Sequence, residues 1–394
     1  MTDPKLRFKG FEQHWDEDIF SNVGKYRKVS NQLIHHQNLL SLSYGKIIRK
    51  DIDSRKGLLP ATYDTYQIVE DGTVVFRFTD LQNDKRSLRV GIAEEEGIIS
   101  PAYVCVDVKN VIPKFFYYQM YSFDLRKTFY SMGDGLRQTL SYNEVKNMPV
   151  YFPTDAEQKL IVASLESIEK KISIVEKVIS HIRQTRTGAM VSMFPQKGEN
   201  APRVRFKGFD ELWETIKARK LFKTFNERNR PDLPVLSAFQ DNRGMAFRED
   251  SGYSISHDIR NEATYKHVLP GQFVMHLRSF QGGFAHSSVE GITSPAYTVF
   301  GFIDEDSNYD YFWKLIFMSK AFIKRLETIT YGIRDGRSIS FDEFLNLSFL
   351  VPSKAEQQKI AEFFQNLDRQ IECQTQILER LKRAKAACLD QLFV

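Results

Sequence analysis

The stretch "RVRFKGFDELWET" at residues 203–215 nearly repeats the stretch "KLRFKGFEQHWDE" at residues 5–17. Gly10 and Trp15 of the first copy correspond to Gly208 and Trp213 of the second, 198 positions later. A short shared motif carries little weight by itself, but a repeat that extends along the whole chain determines the fold. The question is therefore whether the rest of the chain repeats in step.

Three further pairs of segments repeat in the same order and at nearly the same spacing. These pairs are "GIISPAY" (97–103) with "GITSPAY" (291–297), "SMGDGLRQTLSYNEVKNMPVYFP" (131–153) with "TYGIRDGRSISFDEFLNLSFLVP" (330–352), and "AEQ" (156–158) with "AEQ" (355–357). The constant order predicts a duplicated unit whose two copies differ by small loop insertions.

The first part of each copy combines short β-like runs, such as "TVVFRF" and "QFVMHL", with glycine and proline turns and some helical stretches. This pattern predicts a compact α/β or α+β domain in each copy. We predict a first such domain at 1–152, a helix at 153–192, a linker and second domain at 193–351, and a second helix at 352–394.

The second part of each copy has apolar residues at alternating spacings of four and three, which is typical of a coiled-coil seam. Gln374 interrupts the second seam. Thr154 with Glu157, and Ser353 with Glu356, predict a capping box at the start of each helix. The seam residues are Ile161, Leu165, Ile168, Ile172, Val175, Ile179 and Ile182 in the first helix, and Ile360, Phe364, Leu367, Ile371, Leu378 and Leu381 in the second.

Two matched seams in one chain favour two long helices that pack against each other. Under pseudo-twofold symmetry they run antiparallel, and the two domains lie at opposite ends of the pair. The alternative is that each amphipathic helix folds back onto its own domain, which is the usual fate of such a helix. We expect the Arg and Lys of each "RFKGF" to be solvated, and a Phe–Trp pair to anchor each domain to its helix.

The composition describes a folded protein of 394 residues, with 42% hydrophobic and 13% aromatic residues. The formal net charge of +5 gives only weak support for an anionic partner. The first residues, "MTDPKLRFKG", lack the apolar core of a signal peptide, and no apolar run approaches membrane-spanning length. The three cysteines have no metal-ligand spacing, which favours a reducing cytoplasm.

The order of "RFKGF" and tryptophan, mixed domain, and proline followed by an "AEQ" helix, all occurring twice, resembles the specificity subunit of type I restriction–modification enzymes. The resemblance covers essentially the whole chain. It implies two target-recognition domains that each read one half of a split, asymmetric double-stranded DNA target. It also implies a helical spacer that fixes the gap and docks two modification subunits. Those partners use S-adenosylmethionine, and motor–nuclease restriction subunits use ATP and Mg²⁺.

The sequence contains no recognisable catalytic motif. "NMPV" at 147–150 is not the methyltransferase tetrapeptide, and "MGDGL" lacks the lysine and hydroxyl of a phosphate-binding loop. The histidines lack metal-ligand spacing with a carboxylate. We therefore expect a non-catalytic subunit with no metal and no cofactor of its own, although one sequence leaves open a site assembled from scattered residues.

Basic and polar residues in glycine-bearing loops recur at corresponding places in the two domains, and Lys and Arg bind phosphates while polar side chains read base edges. Taken singly, each is more often a solvated surface residue. The candidates for DNA contact are Lys46, Arg49, Lys50, Lys85, Arg86, Ser87, Arg89, Arg137 and Gln138 in the first domain, and Arg228, Arg230, Arg278, Ser279, Gln281, Arg334 and Arg337 in the second.

Three other functions remain open. A methylation-only system uses a recognition subunit of the same architecture. A helical adaptor that spaces two protein partners needs no nucleic acid at all. A stand-alone DNA enzyme is disfavoured by the missing motifs.

Overall fold

The structure is a computed structural model that describes residues 3–34, 36–52, 60, 62–79, 89–132, 139–196, 198–239, 243–251, 259–276, 283–327 and 340–394. The chain forms two compact units. Unit 1 comprises Met1–Lys177 and Thr375–Val394, and unit 2 comprises Val178–Gln374. Each unit thus combines one mixed domain with parts of both long helices. The linear division into domains and spacer helices stays a prediction.

Short strands and two long helices make up the chain. In the first half these are β1 (Asp16–Ile19), α1 (Phe20–Val23), β2 (Gly24–Arg27), β3 (Leu40–Ser43), β4 (Lys46–Arg49), β5 (Gln67–Val69), β6 (Val74–Phe76), β7 (Val90–Ile92), β8 (Gly97–Ile99), β9 (Val104–Val108), α2 (Pro113–Leu125), α3 (Tyr142–Val145), β10 (Pro149–Phe152) and α4 (Asp155–Ser192). Short 3₁₀ turns lie at Asn31–Leu33 and Thr128–Ser131.

The second half repeats this order of strands and adds one short helix, α7. Its elements are β11 (Glu214–Lys217), α5 (Ala218–Leu221), β12 (Phe222–Phe225), β13 (Leu236–Phe239), β14 (Gly244–Phe247), β15 (Lys266–Val268), β16 (Phe273–Met275), β17 (Phe284–His286), β18 (Gly291–Thr293), β19 (Thr298–Phe302), α6 (Asp310–Phe317), α7 (Lys320–Glu327), α8 (Phe341–Leu345), β20 (Ser348–Val351) and α9 (Lys354–Gln391). Its 3₁₀ turns lie at Arg248–Ser251 and Ile259–Thr264.

The two units have the same sheet topology. Unit 1 has a four-stranded sheet in the order β2-β9-β6-β7, and unit 2 has the corresponding order β12-β19-β16-β17. The paired strands β1–β10, β3–β4 and β5–β8 recur as β11–β20, β13–β14 and β15–β18. These pairs are antiparallel. The predicted mixed α and β fold with an internal repeat is confirmed.

The glycine of the repeated "GI(I/T)SPAY" segment has a packing reason. A Cβ on Gly97 would lie 2.7 Å from the Leu40 side chain, and a Cβ on Gly291 would lie 2.6 Å from Leu236. Leu40 begins β3 and Leu236 begins β13, so glycine in each unit lets a two-stranded hairpin pack closely on the neighbouring strand. The motif shared by the two halves therefore positions the β3–β4 and β13–β14 hairpins.

The start of each long helix belongs to the core of one unit. Ile161 and Leu165 of α4 are buried in unit 1. Ile360 and Phe364 of α9 are buried in unit 2. Each long helix therefore contacts the domain that precedes it in the chain, as the alternative interpretation of the seams expected.

The same helices also pack against each other within each unit. In unit 1, Lys385 of α9 lies 2.7 Å from Glu169 of α4, and Lys382 lies 3.8 Å from Glu176. The residue numbers rise along one helix as they fall along the other, so the helices run antiparallel. All the predicted seam residues are buried or half-buried, and the antiparallel coiled-coil interpretation is confirmed.

In unit 2, Arg186 of α4 lies 2.6 Å from Asp368 of α9. The Phe194 ring, which follows α4, lies 6.1 Å from the Phe364 ring of α9. This arrangement is again antiparallel. Arg186 and Asp368 occupy the repeat positions of Lys385 and Glu169, so the duplicated chain makes the same helix–helix contact twice.

The repeated "RFKGF" segment and the helix start are joined by a buried ion pair that the sequence did not reveal. Both Glu157 oxygens accept hydrogen bonds from Arg7, at 3.0 and 2.7 Å, and Arg205 binds Glu356 in the same way at 2.8 and 2.7 Å. The two carboxylate side chains are 1% and 2% exposed. The expectation that these arginines are solvated is therefore wrong.

This ion pair also corrects the predicted helix caps. The Ser353 hydroxyl accepts from the Glu356 backbone at 3.4 Å, but the Glu356 carboxylate is taken by Arg205. Complete capping boxes lie instead at Ser141–Glu144 of α3 and Ser340–Glu343 of α8. A buried carboxylate gains more from an arginine fork than from one backbone N–H.

Candidate nucleic-acid interface

The first group of predicted contacts lies on the β3–β4 hairpin of unit 1. Lys46 and Lys50 are exposed, and neither forms an ion pair in the part of the chain that the structure describes. Arg49 is 71% exposed but binds the Glu95 carboxylate. The hydrogen bond and charge of Glu95 raise the pKa of Arg49, while the hydrogen bond from Arg49 lowers the pKa of Glu95. The hairpin thus presents two unpaired cations beside one paired cation.

Arg89 does not fit the predicted role. It is fully buried at the start of β7. Its guanidinium donates to the Thr79 carbonyl and, at 3.1 Å, to the Tyr130 hydroxyl. Its backbone N–H donates to the buried Asp124 carboxylate at 2.8 Å. Arg89 therefore satisfies polar groups inside unit 1, and its prediction as a DNA contact is corrected for that reason.

The second group lies in the loop after β12 of unit 2. Arg228 is exposed and donates to Asn226 at 3.3 and 3.4 Å. Arg230 forms a fork with Asp232 at 3.1 and 3.0 Å and lies 3.9 Å from Glu290. The hydrogen bonds that Arg230 donates to the Asp232 carboxylate raise the pKa of Arg230. No carboxylate of the described residues forms an ion pair with Arg228, whereas Asp232 and Glu290 neutralise Arg230.

The remaining predicted contacts lie outside the described residues. These are Lys85, Arg86, Ser87, Arg137, Gln138, Arg278, Ser279, Gln281, Arg334 and Arg337. The structure brings together residues that flank these stretches. In unit 1 the Leu140 N–H donates to the Phe78 carbonyl at 3.0 Å. In unit 2 the His276 N–H donates to the Gly283 carbonyl at 3.0 Å, and the Phe341 ring lies 5.4 Å from that of Phe300.

The described residues show histidine–carboxylate pairs but no metal-binding group. His267 lies 3.1 Å from Glu227 and 2.9 Å from Glu290, and His286 lies 2.6 Å from Asp310. Both histidines are buried. No cluster of three or more possible metal ligands occurs in the described ranges. None of the helices in those ranges is long and apolar enough to span a membrane.

Sequence reasoning missed the Arg7–Glu157 and Arg205–Glu356 pairs, although a signal was available. "RFKG" and "AEQ" are both kept between the two copies while most loop residues differ. Two segments that are preserved together in a duplicated chain are candidates for contact with each other. The pairs hold the start of each domain on its helix and leave the loops free to differ.

The chain is similar to known proteins of one kind. Residues 206–383 match the family model described as "Type I restriction modification DNA specificity domain". Over 319 residues the chain is 24% identical to the type I restriction enzyme MjaVIII specificity subunit of Methanocaldococcus jannaschii, covering 76% of this chain and 74% of that protein.

Solved structures share the fold. The crystal structure of the type I restriction–modification system S subunit from M. genitalium matches with a TM-score of 0.59 at 12% identity, covering 100% of this chain and 99% of that one. A chain from a structural study of complex assembly and conformational transition of the type I R-M system matches with a TM-score of 0.52 at 14% identity, covering 98% and 99%. The chain therefore contains a match to a type I restriction modification DNA specificity domain at residues 206–383 and shares its duplicated fold with a solved S subunit.

Proposed function

We propose that this chain is the DNA-recognition subunit of a type I restriction–modification complex and that each unit reads one half of a split DNA target. The observation that carries the proposal is the duplicated frame with different loop residues. The sheet order, the Arg–Glu pair and the helix–helix contact are the same in both units. The candidate reading residues differ between them, which favours two different half-targets.

The long helices provide the spacer in this proposal. Each helix has 38 residues, which corresponds to roughly 57 Å at 1.5 Å per residue. A length of this order suits a partner with two sites along a line, such as DNA with its ~34 Å helical repeat. We further propose that the spacer docks two methylation subunits, which bind S-adenosylmethionine, and that motor–nuclease subunits use ATP and Mg²⁺.

Sequencing of methylated bases tests the recognition role. Genomic DNA from cells with the gene and from cells without it is compared at single-base resolution. We expect methylation of a split motif in the first and its loss in the second. An unchanged methylation pattern, in cells that express the partner subunits, contradicts the proposal and favours a protein-spacing adaptor.

A matched deletion in both helices tests the spacer. Removal of one heptad from each helix, residues 174–180 and 374–380, keeps both seams in register. The deleted segments lie between the Glu169–Lys385 and Arg186–Asp368 ion pairs, so both pairs are retained. Seven residues shorten each helix by about 10 Å, so we expect unchanged half-motifs with a gap about three base pairs shorter. Changed half-motifs contradict the spacer proposal.

A further inference from the structure

The β3–β4 hairpin of unit 1 ends in an unusual turn. Ser43 pairs with Lys46, so the turn has two residues, Tyr44 and Gly45. Both have positive φ, 47° and 78°, as a type I′ turn requires. Asn or Asp is the preferred first residue of such a turn, because a bulky residue is strained in the left-handed region. Here that strained place is occupied by a tyrosine that is 72% exposed.

The turn is held from below while the tyrosine ring stays in solvent. The buried Tyr117 hydroxyl of α2 donates to the Gly45 carbonyl at 3.2 Å. Burial raises the pKa of Tyr117 well above its usual value, so the phenol keeps the proton that it donates. Close packing of Leu42 and Ile47 on Gly91 fixes the inner face of the hairpin. The backbone under Tyr44 is therefore anchored to the domain, and its ring lies exposed at the tip.

The outer face of the hairpin is formed by cross-strand pairs, because alternate residues share one face of a strand. Ser41 pairs with Ile48, and Ser43 pairs with Lys46. The two serines are half-buried, and Ile48 and Lys46 are exposed. Small hydroxyl side chains allow close approach and can hydrogen bond with any base edge, and an apolar side chain suits a thymine methyl. The unpaired Lys46 adds the charge that suits phosphate.

The corresponding hairpin of unit 2 also combines an aromatic ring with a cation. The Arg243 guanidinium carbon lies 3.8 Å from the centre of the Phe239 ring. Ser237 of β13 pairs with Ala246 of β14, so this hairpin also has a cross-strand pair of small residues. Both units therefore have a hairpin with an aromatic and a basic residue at the same place in the fold. Two DNA-recognition domains that share one fold require such a common contact element.

We propose that the β3–β4 hairpin enters the major groove of DNA as a two-stranded ribbon and that Tyr44 at its tip contacts the bases. This proposal rests on the proposed function and names the element of unit 1 that reads DNA. The major groove is ~12 Å wide and accepts a two-stranded ribbon. An apolar protein partner does not account for the strained, anchored tip beside lysines that are unpaired among the described residues, whereas contact of an aromatic ring with base edges or a thymine methyl, beside a phosphate-binding cation, does.

Binding by Tyr44 variants of the full chain tests the proposal. The probes are a duplex that carries the methylated motif and a duplex with that motif scrambled, in a fluorescence anisotropy titration. Tyr44→Asn suits the left-handed turn and removes the ring, while Tyr44→Phe keeps the ring. We expect Tyr44→Asn to lose about tenfold in affinity for the motif duplex, as for the loss of one good base contact in the major groove, with an unchanged or higher melting temperature. Tyr44→Phe, which keeps the apolar ring that contacts a thymine methyl, should bind within about twofold of the unchanged chain.

The outcomes separate this proposal from the one on which it rests. If the unchanged chain binds the motif duplex and Tyr44→Asn binds it equally well, the hairpin proposal is wrong and DNA recognition stands. If the unchanged chain does not distinguish the two duplexes, DNA recognition itself is contradicted, and this proposal with it.

Fluorescence provides a second measurement that does not depend on affinity. The three native tryptophans, Trp15, Trp213 and Trp313, are buried. In a Tyr44→Trp variant, the new exposed indole is therefore the one that added DNA can contact. We expect its emission to be quenched on addition of the motif duplex. The matched control is Leu212→Trp, at a position 77% exposed in the "RFKGF" region of unit 2; equal quenching at both positions would overturn the proposal.

Discussion

The two units of the molecule share one fold, but the aromatic ring that packs on the tryptophan of each unit comes from a different part of the chain. In unit 2, the Phe194 ring lies 6.4 Å from Trp213 and 5.6 Å from Phe312. In unit 1, the corresponding ring is Phe393, 6.4 Å from Trp15 and 5.3 Å from Phe115. Phe194 lies in the middle of the chain, whereas Phe393 is the second residue from its end.

A backbone hydrogen bond beside this aromatic cluster also occurs in both units. The Val204 N–H donates to the Ser192 carbonyl at 2.9 Å in unit 2, and the Leu6 N–H donates to the Gln391 carbonyl at 2.9 Å in unit 1. The two partners are 12 positions apart in the sequence in unit 2 and 385 positions apart in unit 1. Packing and hydrogen bonding therefore maintain the same tertiary contacts between near and distant segments of the chain.

The units differ where polar groups are buried. Trp213 Nε1 donates to Glu356 at 3.1 Å, but buried Trp15 Nε1 has no hydrogen-bond partner among the described residues. The third residue of β17 is His286, paired with Asp310 at the start of α6. The corresponding residues of unit 1 are Ile92 and Pro113. At these two places unit 2 has polar contacts that unit 1 lacks, and this comparison can be tested.

The largest effect is expected from removal of the buried carboxylates. Glu356→Ala leaves both Arg205 and Trp213 Nε1 without their acceptor, and should lower the free energy of unfolding of unit 2 by about 4 kcal/mol. Glu157→Ala, which leaves only Arg7, should cost unit 1 about 3 kcal/mol. Hydrogen exchange followed by mass spectrometry measures each unit separately. The control is Glu362→Ala on the exposed face of α9, and equal losses in the two units contradict the comparison.

The next effect concerns the aromatic ring that packs on each tryptophan. Phe393 is 1% exposed, and Phe393→Ala should destabilise unit 1 by about 3 kcal/mol through lost burial and a cavity. Phe194 is half-buried, so Phe194→Ala should cost unit 2 about 2 kcal/mol. Urea denaturation of each variant measures these losses. Phe393→Leu serves as the conservative control. If the free energy of unfolding of Phe393→Ala is unchanged, the Phe393 ring does not stabilise unit 1.

The His286–Asp310 pair should give unit 2 a dependence on acid. Burial favours the neutral carboxyl, but the hydrogen bond and charge of His286 outweigh it and lower the pKa of Asp310. A lowered folded-state pKa stabilises the fold above the unfolded pKa, about 3.9, and this contribution disappears as the pH falls through the folded value.

Asp310→Asn removes that contribution. We expect the variant to lose about 1 kcal/mol of stability near neutral pH, the net value of one hydrogen bond, and this difference to shrink as the pH falls below about 3.9 towards the lowered folded-state pKa. Melting temperatures measured from pH 3 to 7, as an approximate range around that pKa, provide the test. A difference that persists in acid shows that the charge of Asp310 is not the cause.

The smallest expected effects are on the salt dependence of DNA affinity, which should differ between cations paired with carboxylates and unpaired cations. Lys46 and Arg228 are unpaired by carboxylates in the described part of the chain, whereas Arg49 and Arg230 are paired. Each unpaired cation that binds a phosphate contributes about 0.9 to the slope of log affinity against log salt. Lys46→Ala and Arg228→Ala should each reduce that slope by about this amount, and the Arg49→Ala and Arg230→Ala variants by less. Equal changes in all four variants contradict the assignment.

The sequence predicted those features that recur as patterns along the chain. Two copies of "RFKGF" and "AEQ" indicated the duplication, and the alternating apolar spacing indicated the long helices that the structure has at Asp155–Ser192 and Lys354–Gln391. Proline and glycine marked many of the turns. Such features are local, because helix periodicity and turn geometry depend on residues close in sequence.

The choice among similar residues was made by the tertiary structure alone. Arg89, Arg49 and Lys46 look alike in the sequence, yet one is buried, one is paired with a carboxylate and one is an unpaired surface cation. Arg7 donates a hydrogen bond to Glu157, which lies 150 positions away in the sequence. Whether a cation is available for DNA depends on which distant carboxylate or carbonyl the fold places beside it, and a desolvated charge must be paired. The sequence by itself thus determined the repeat and its helices, while packing decided which side chains remain free to bind.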